Sequence, residues 1–330
     1  MNMTGMRCVC TRLMVALGIG LSLTPLARAQ AQSTEAPARP AHVQTIAVGE
    51  VQLTSILDGQ RPISAKAALR NIGEADLQRL QARHGEADDV ETSFNAFLLR
   101  FGSRLVLVDA GAGRLFGAEL GKAVDNLRAA GIDPSQISSI LLTHMHVDHV
   151  GGLVAEGRAV FPNATVFASK AEGDFWLSES AMQAAPSAMQ PFFRNAMAAL
   201  APYRSDGRFK TFLPGEEVVP GVRSLPLPGH SPGHSGYLVE SQGQTLLLWG
   251  DIVHLGGVQL ARPATGFRAD VDVDGAAKTR MDLLAKLVQS NALVAGAHLP
   301  FPGVGRLATE EGGYAWRPLR TDETARQTSK

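Results

Sequence analysis

The sequence predicts a layered α/β sandwich. Short β-branched and leucine-rich runs come in groups with helical spacing interspersed, and no glycine-rich phosphate turn joins a strand to a helix, as a doubly wound dinucleotide fold would require. The chain has 330 residues, 45% of them hydrophobic and 19% charged, enough to bury one large core or two smaller ones.

Residues 1–29 are expected to be a secretory signal peptide. Arg7 and Arg12 precede an apolar run from Leu13 to Leu26, and Ala27-Arg28-Ala29 follows as a small-residue cleavage site. The run is shorter than the roughly 20 residues a bilayer span needs, so no membrane span is expected after cleavage, and the protein is expected to be periplasmic or secreted. Residues 30–42, polar and proline-containing, read as a flexible leader, and residues 43–330 as a single catalytic domain. Removing Arg7, Arg12 and Arg28 leaves 28 basic against 31 acidic residues, and nothing in that balance points to nucleic acid. Cleavage would also remove Cys8 and Cys10, the two cysteines of the chain. The mature protein would then have no disulfide, thiol nucleophile, iron–sulfur cluster or zinc finger, leaving its chemistry to His, Asp, Glu and hydroxyls.

Structure is expected to begin near Val43. Strands are read at Val51 to Leu57, Ala96 to Phe101 and Leu105 to Val108, the last two joined by a Gly102-Ser103 hairpin. Leu120, Val124 and Leu127 have helical spacing, ended by Gly131 with Pro134 beyond. A buried strand follows at Ile137 to Thr143. The alanine- and methionine-rich stretch Lys170 to Leu200 reads as helix broken by Pro186 and Pro191. Strands return at Val222 to Leu227, Tyr237 to Glu240 and Thr245 to Trp249. A helix with apolar positions Ala277, Met281, Leu284 and Val288 precedes a last strand at Leu293 to Ala295. Gly111-Ala112-Gly113 reads as a tight turn.

The function lies in the histidines. Of nine, seven fall in four short segments near predicted strand ends. HMHVDH (His144 to His149) follows the Ile137 to Thr143 strand. Residues two apart at a strand end project to one side, so His144 and His146 can ligate one ion, with Asp148 on that side and His149 free to turn toward a second. His230 in PGHSPGH, Asp251 in WGD and His298 in GAHLPFPG each lie just past a strand, where loops gather on one rim. Neutral imidazoles and carboxylates suit zinc and its first-row neighbours. His234 is expected to support the site, and His42 and His84 to lie on the surface.

These motifs, in this order, resemble the metallo-β-lactamase superfamily of dinuclear metal hydrolases. The resemblance implies a four-layer αβ/βα sandwich with two divalent metal ions, zinc the expected one, on its rim. It assigns His144, His146 and His230 to one ion, Asp148, His149 and His298 to the other, and Asp251 as the bridging carboxylate. True β-lactamases look different, since one subclass uses a cysteine near the Asp251 position and another lacks the bridging carboxylate. RLVLVDAGAGRLFG, LTHMHVDHVGGL and FPNATVFASKAEGDFWLS look like the methyl parathion hydrolase and lactonase group.

A water shared by two ions is acidified far below its bulk pKa, so a bridging hydroxide is the expected nucleophile, with one ion polarising the carbonyl or phosphoryl oxygen. Asp148 could relay a proton to the leaving alkoxide, and with no cysteine nucleophile in the mature chain a covalent acyl-enzyme is not expected. By the same resemblance Phe116, Trp176 and Phe193 fall at aromatic positions of a leaving-group pocket, although on spacing alone they read equally as core. His254 and Phe267 complete the expected pocket. The parathion-type enzymes carry an apolar residue where this chain has His254, whose imidazole could bond a carbonyl or ring-opened carboxylate and would crowd a bulky phosphotriester. The expected activity is therefore that of a lactonase or arylesterase on aryl or benzo-fused lactones of the dihydrocoumarin type. An organophosphate triesterase is the alternative, and a non-catalytic zinc-binding envelope protein a minor one. The partner is a small-molecule ester, lactone or phosphotriester, and the sequence leaves open whether the chain forms a homodimer.

Overall fold

The computed structural model describes residues 42–319. The expected signal peptide, the leader up to residue 41, Cys8, Cys10 and residues 320–330 lie outside the described residues.

Two seven-stranded sheets form the body of the molecule, and in each the strands lie side by side in chain order. The first contains β1 (Val43–Val48), β2 (Val51–Ser64), β3 (Asp89–Phe101), β4 (Arg104–Val108), β5 (Ser139–Leu141), β6 (Thr165–Ser169) and β7 (Phe209–Phe212). It is antiparallel from β1 to β4 and parallel from β4 to β7. The second contains β8 (Glu217–Val219), β9 (Val222–Pro226), β10 (Ser235–Ser241), β11 (Gln244–Leu248), β12 (Leu293–Ala295), β13 (Val304–Glu310) and β14 (Gly313–Pro318). There β11 and β12 run parallel and the other neighbours antiparallel.

The period-two alternation of a strand sorts residues between two faces. Phe97, Leu99, Val106, Val108 and Leu141 of the first sheet meet Tyr237, Val239, Leu246, Leu248 and Leu293 of the second in a core between the sheets. Their sequence neighbours Leu98, Leu107 and Ile140 face outward onto Trp176, Phe193, Ala196 and Leu200 of the helices covering the first sheet. Leu247 and Val294 face outward on the other side, onto Leu283, Leu284 and Leu287 of the helix Val273–Ser290. The layers are helix, sheet, sheet, helix: the four-layer αβ/βα sandwich.

Several elements depart from the sequence reading. β2 and β3 are far longer than the runs that signalled them, and pair along their length. The helix Glu74–His84 was missed because it buries only Leu77, Leu80 and Gln81 and is otherwise polar. Leu120 precedes the helix Ala123–Ala129. β5 is confined to Ser139–Leu141, because Ile137 caps the 3-10 turn Pro134–Gln136 and Thr143 leaves the ladder to bond Asp109. The middle stretch forms three helices, Lys170–Trp176, Glu179–Ala184 and Gln190–Ser205. Pro186 lies in a break, but Pro191 opens the third helix, where its missing N–H costs nothing. Met281 is 42% exposed, and buried Arg280 packs beneath its helix instead. β12 is not the last strand, since β13 and β14 follow it.

Candidate metal centre

The four ligand-bearing segments converge on one rim. His144 follows β5, His230 lies in the β9–β10 connection, Asp251 follows β11 and His298 follows β12. Gly229, beside His230, has φ +130° and a Cβ there would lie 2.2 Å from the backbone nitrogen of Ala276, so only glycine lets this loop meet the Val273–Ser290 helix.

Three donor sets result, the third, His230, Asp251 and His254, overlapping the other two. His144, His146 and His230 form the first, and Asp148, His149, Asp251 and His298 the second, with the ligand atoms of each within 4.8 Å of one another. In the first, His230 Nε2 lies 3.2 Å from His144 Nε2 and 2.9 Å from His146 Nδ1. In the second, Asp148 Oδ2 lies 3.5 Å from both His149 Nε2 and His298 Nε2. Asp251 sits between them: Oδ1 is 3.2 Å from His149 Nε2, and Oδ2 is 3.0 Å from His298 Nε2, 3.4 Å from His230 Nε2 and 3.7 Å from His144 Nε2. Alternation along a strand would put Asp148 with His144 and His146. The chain instead turns helical over Val147–Val150, with His146 as its N-cap, and this carries Asp148 into the second set beside His149.

The residues fit a pair of metal ions. The far ring nitrogens are already committed: His144 Nδ1 is 3.1 Å from Thr143 Oγ1, His149 Nδ1 2.8 Å from Asp109 Oδ2, His230 Nδ1 2.8 Å from Asp270 Oδ1 and His298 Nδ1 3.3 Å from the Ser93 carbonyl. The inward nitrogens thus face one another with too few hydrogens to share, and His149 Nε2 and Asp251 Oδ1 are buried without any hydrogen-bond partner. Buried polar atoms left in this state call for a cation, and carboxylates behind metal-bound imidazoles are the usual means of orienting them.

The electrostatics agree. Burial, then the neighbouring imidazoles, holds His144 and His146 well below the usual histidine range, which keeps them neutral as ligands. Burial alone would raise the Asp251 carboxyl, but the imidazoles of His149, His298 and His144 outweigh it and keep Asp251 ionised.

Supporting residues come from places with little sequence signal. His234, expected to support the site, bonds the Leu227 carbonyl through Nδ1 (3.0 Å) and accepts the Asp251 N–H at Nε2 (3.0 Å); burial pulls it down to about 3. Asp109 ties the end of β4 to Thr143 and His149. Arg280, lowered by burial to about 10, holds the loop after Asp251 through the carbonyls of Ile252 and Thr265. None of Asp109, Asp270 or Arg280 was singled out from the sequence. The signal that could have found Asp109 is its place directly after the buried run Leu105–Val108, whereas Asp270 is one of three alternating aspartates, 270, 272 and 274, and Arg280 lies between Lys278 and Asp282.

A cavity of about 530 Å³ opens onto the centre, reaching His146, Asp148, His230, Asp251 and His298. Its walls include Phe116, His254 and Phe267 together with Phe94 and Phe192. Trp176 and Phe193 are corrections: both are fully buried in the core beneath the first sheet's helices, and neither lines the cavity. Trp176 packs behind His146, ring centroids 5.2 Å apart. His254 stacks flat on Phe267 (3.8 Å, 8°) and points Nε2 at Asp251 Oδ2 (3.1 Å), and burial lowers it to about 4. His42 and His84 are exposed, as expected.

The family model of the metallo-beta-lactamase superfamily matches residues 92–298. The chain belongs to this superfamily. Among solved superfamily structures, the hydrolase AbOPH is 36% identical with a TM-score of 0.81, covering 85% of this chain and 98% of its own. AidC, a dizinc quorum-quenching lactonase in complex with a product, N-hexanoyl-L-homoserine, is 27% identical with a TM-score of 0.78, covering 84% and 97%. Curated relatives match shorter spans. A ribonuclease of Thermus thermophilus is 32% identical over 167 residues, 49% of this chain and 36% of its own length. An N-acyl homoserine lactonase of Bacillus cereus is 28% identical over 128 residues, 38% of this chain and 42% of its own. The match thus spans about two fifths of the length of these curated relatives. Among the described residues no helix is long and apolar enough to cross a membrane.

Proposed function

We propose that the protein is an exported hydrolase of lactones and aryl esters, with two zinc ions as its cofactor. The observation that carries this reading is the cavity: phenylalanines 94, 116, 192 and 267 wall a space of about 530 Å³ whose floor is the candidate metal centre. The likeness to AidC and to the N-acyl homoserine lactonases supports a lactone substrate, the signal-like N-terminus supports export, and the quoted motifs support a place near the methyl parathion hydrolases.

His144, His146 and His230 would hold one ion and Asp148, His149 and His298 the other, with Asp251 shared. When bound, the pair would acidify a water and polarise the substrate's carbonyl oxygen. The chain's own residues do the rest. The phenyl rings hold the acyl or aryl body and exclude water from it. Asp148 Oδ2, which lines the cavity between His149 and His298, is placed to take the proton released on attack and deliver it to the leaving oxygen. The imidazole of His254, fixed by its stack on Phe267, narrows the cavity beside Asp251 and favours a flat ester over a tetrahedral phosphotriester.

The test is a panel on one enzyme preparation: an aryl lactone, an acyl-homoserine lactone, a phenyl ester and a methyl phosphotriester. The expected order puts lactones and phenyl ester ahead, and a phosphotriester leading by orders of magnitude in kcat/KM would overturn the proposal.

A further inference from the structure

The helix Lys170–Trp176 takes no direct part in the proposed reaction. Glu172 on it is fully buried, yet among the described residues it has no ion-pair partner. Three side-chain hydrogen bonds tie it to two loops. Oε1 accepts the N–H of Met145, between His144 and His146, at 2.9 Å. Oε2 accepts the hydroxyl of Ser231 at 2.7 Å and the N–H of Gly233 at 2.9 Å, just beyond His230. Ser169, the N-cap of the same helix, donates to the Gly233 carbonyl at 2.7 Å. The approach is as close as a chain can make it, for a Cβ on Gly233 would lie 2.2 Å from the Glu172 nitrogen. Four residues on, Trp176 braces the His146 ring from behind.

The second donor set is held without this helix. His149 leans on Asp109, His298 on the Ser93 carbonyl and the Asp251 backbone on His234. A buried carboxylate is costly unless its hydrogen bonds return the cost, and here those to Met145, Ser231 and Gly233 together join the loop of His144 and His146 to the loop of His230.

We propose that Glu172 is a positioning residue for the first ion alone, clamping the two loops whose three histidines must converge on it. The inference rests on the two-ion reading of the centre. Replacing one acceptor oxygen by an amide sets N–H against N–H, the loops part by a fraction of an ångström, and the first ion is held less tightly while the second is unaffected.

The test uses full-length protein, wild type and Glu172→Gln, stripped of metal and reconstituted with cobalt(II). Metal equivalents are measured against a competing chelator, and the visible absorption is compared with that of His230→Ala and His298→Ala as references for loss from the first and second sets. The expected result is two equivalents in wild type. In Glu172→Gln the affinity for one ion falls 10–100-fold, on the scale found for residues that orient metal ligands, with a spectrum matching His230→Ala. Ser231→Ala, which removes a single donor from Oε2, should weaken the same ion less and guards against a folding defect in the first variant. Wild-type affinity for both ions in Glu172→Gln and Ser231→Ala, or equal loss of both ions in each, would overturn the proposal. Fewer than two equivalents in wild type would instead overturn the two-ion reading beneath it.

Discussion

One carboxylate, Asp109, accepts from the Thr143 N–H and hydroxyl at 2.8 Å each while it fixes the His149 ring, so it orients a ligand it never shares with the ion. Asp109→Asn should therefore lower affinity for one of the two ions by 10–100-fold, read by chelator competition, and unchanged affinity would contradict the role. The ligands themselves were legible in the sequence because His and Asp repeat within HMHVDH and reappear after strand ends. Asp109, Glu172, Asp270 and Arg280 were not, because the charges beside them in sequence do not mark which one turns inward, and its meaning lies in a partner 27 or more positions away or in a backbone carbonyl.

Adjacent residues on a helix point about 100° apart, and that separates Phe192 from Phe193 on the helix Gln190–Ser205. Phe193 is fully buried, whereas Phe192 lines the cavity. Phe193→Ala should destabilise the protein by about 3–5 kcal/mol in denaturant unfolding. Phe192→Ala should leave stability near wild type and raise KM for aryl substrates; the reverse pattern would reassign the two. The sequence marks both as aromatic, and packing against the rest of the fold decides which of them faces the core. The same helix is anchored by Tyr203, whose hydroxyl donates to the Leu153 carbonyl at 2.9 Å and accepts the Phe161 N–H at 3.2 Å. Burial pushes this phenol up to about 12. A raised folded pKa means its stabilisation is complete below the unfolded value near 10 and is lost as pH climbs toward 12. Tm should thus fall more steeply between pH 10 and 12 in wild type than in Tyr203→Phe, and parallel profiles would contradict the anchor.

Both sheets contribute to the centre: His144 to His149 follow the first, and His230, Asp251 and His298 come from loops of the second. The order of strands and helices was readable from alternation and breakers, but the pairing of β2 with β3 depends on contacts far apart in the chain that no local pattern reports; the closing strands β13 and β14 form a tight hairpin around Glu311-Gly312, a local pattern the sequence reading did not use. A centre spanning two sheets also links metal binding to folding, since an ion that binds only the folded chain stabilises it by mass action. Chelation should lower Tm, and restoring metal should recover it. If seven side chains form one two-ion hydrolytic centre, metal content and lactone hydrolysis rise and fall together, and the most direct measurement is the two on the same full-length preparation. The expected result is two equivalents per chain at full activity, falling to one or fewer in both His230→Ala and His298→Ala with activity lost in each. Full activity with one equivalent or none would contradict it.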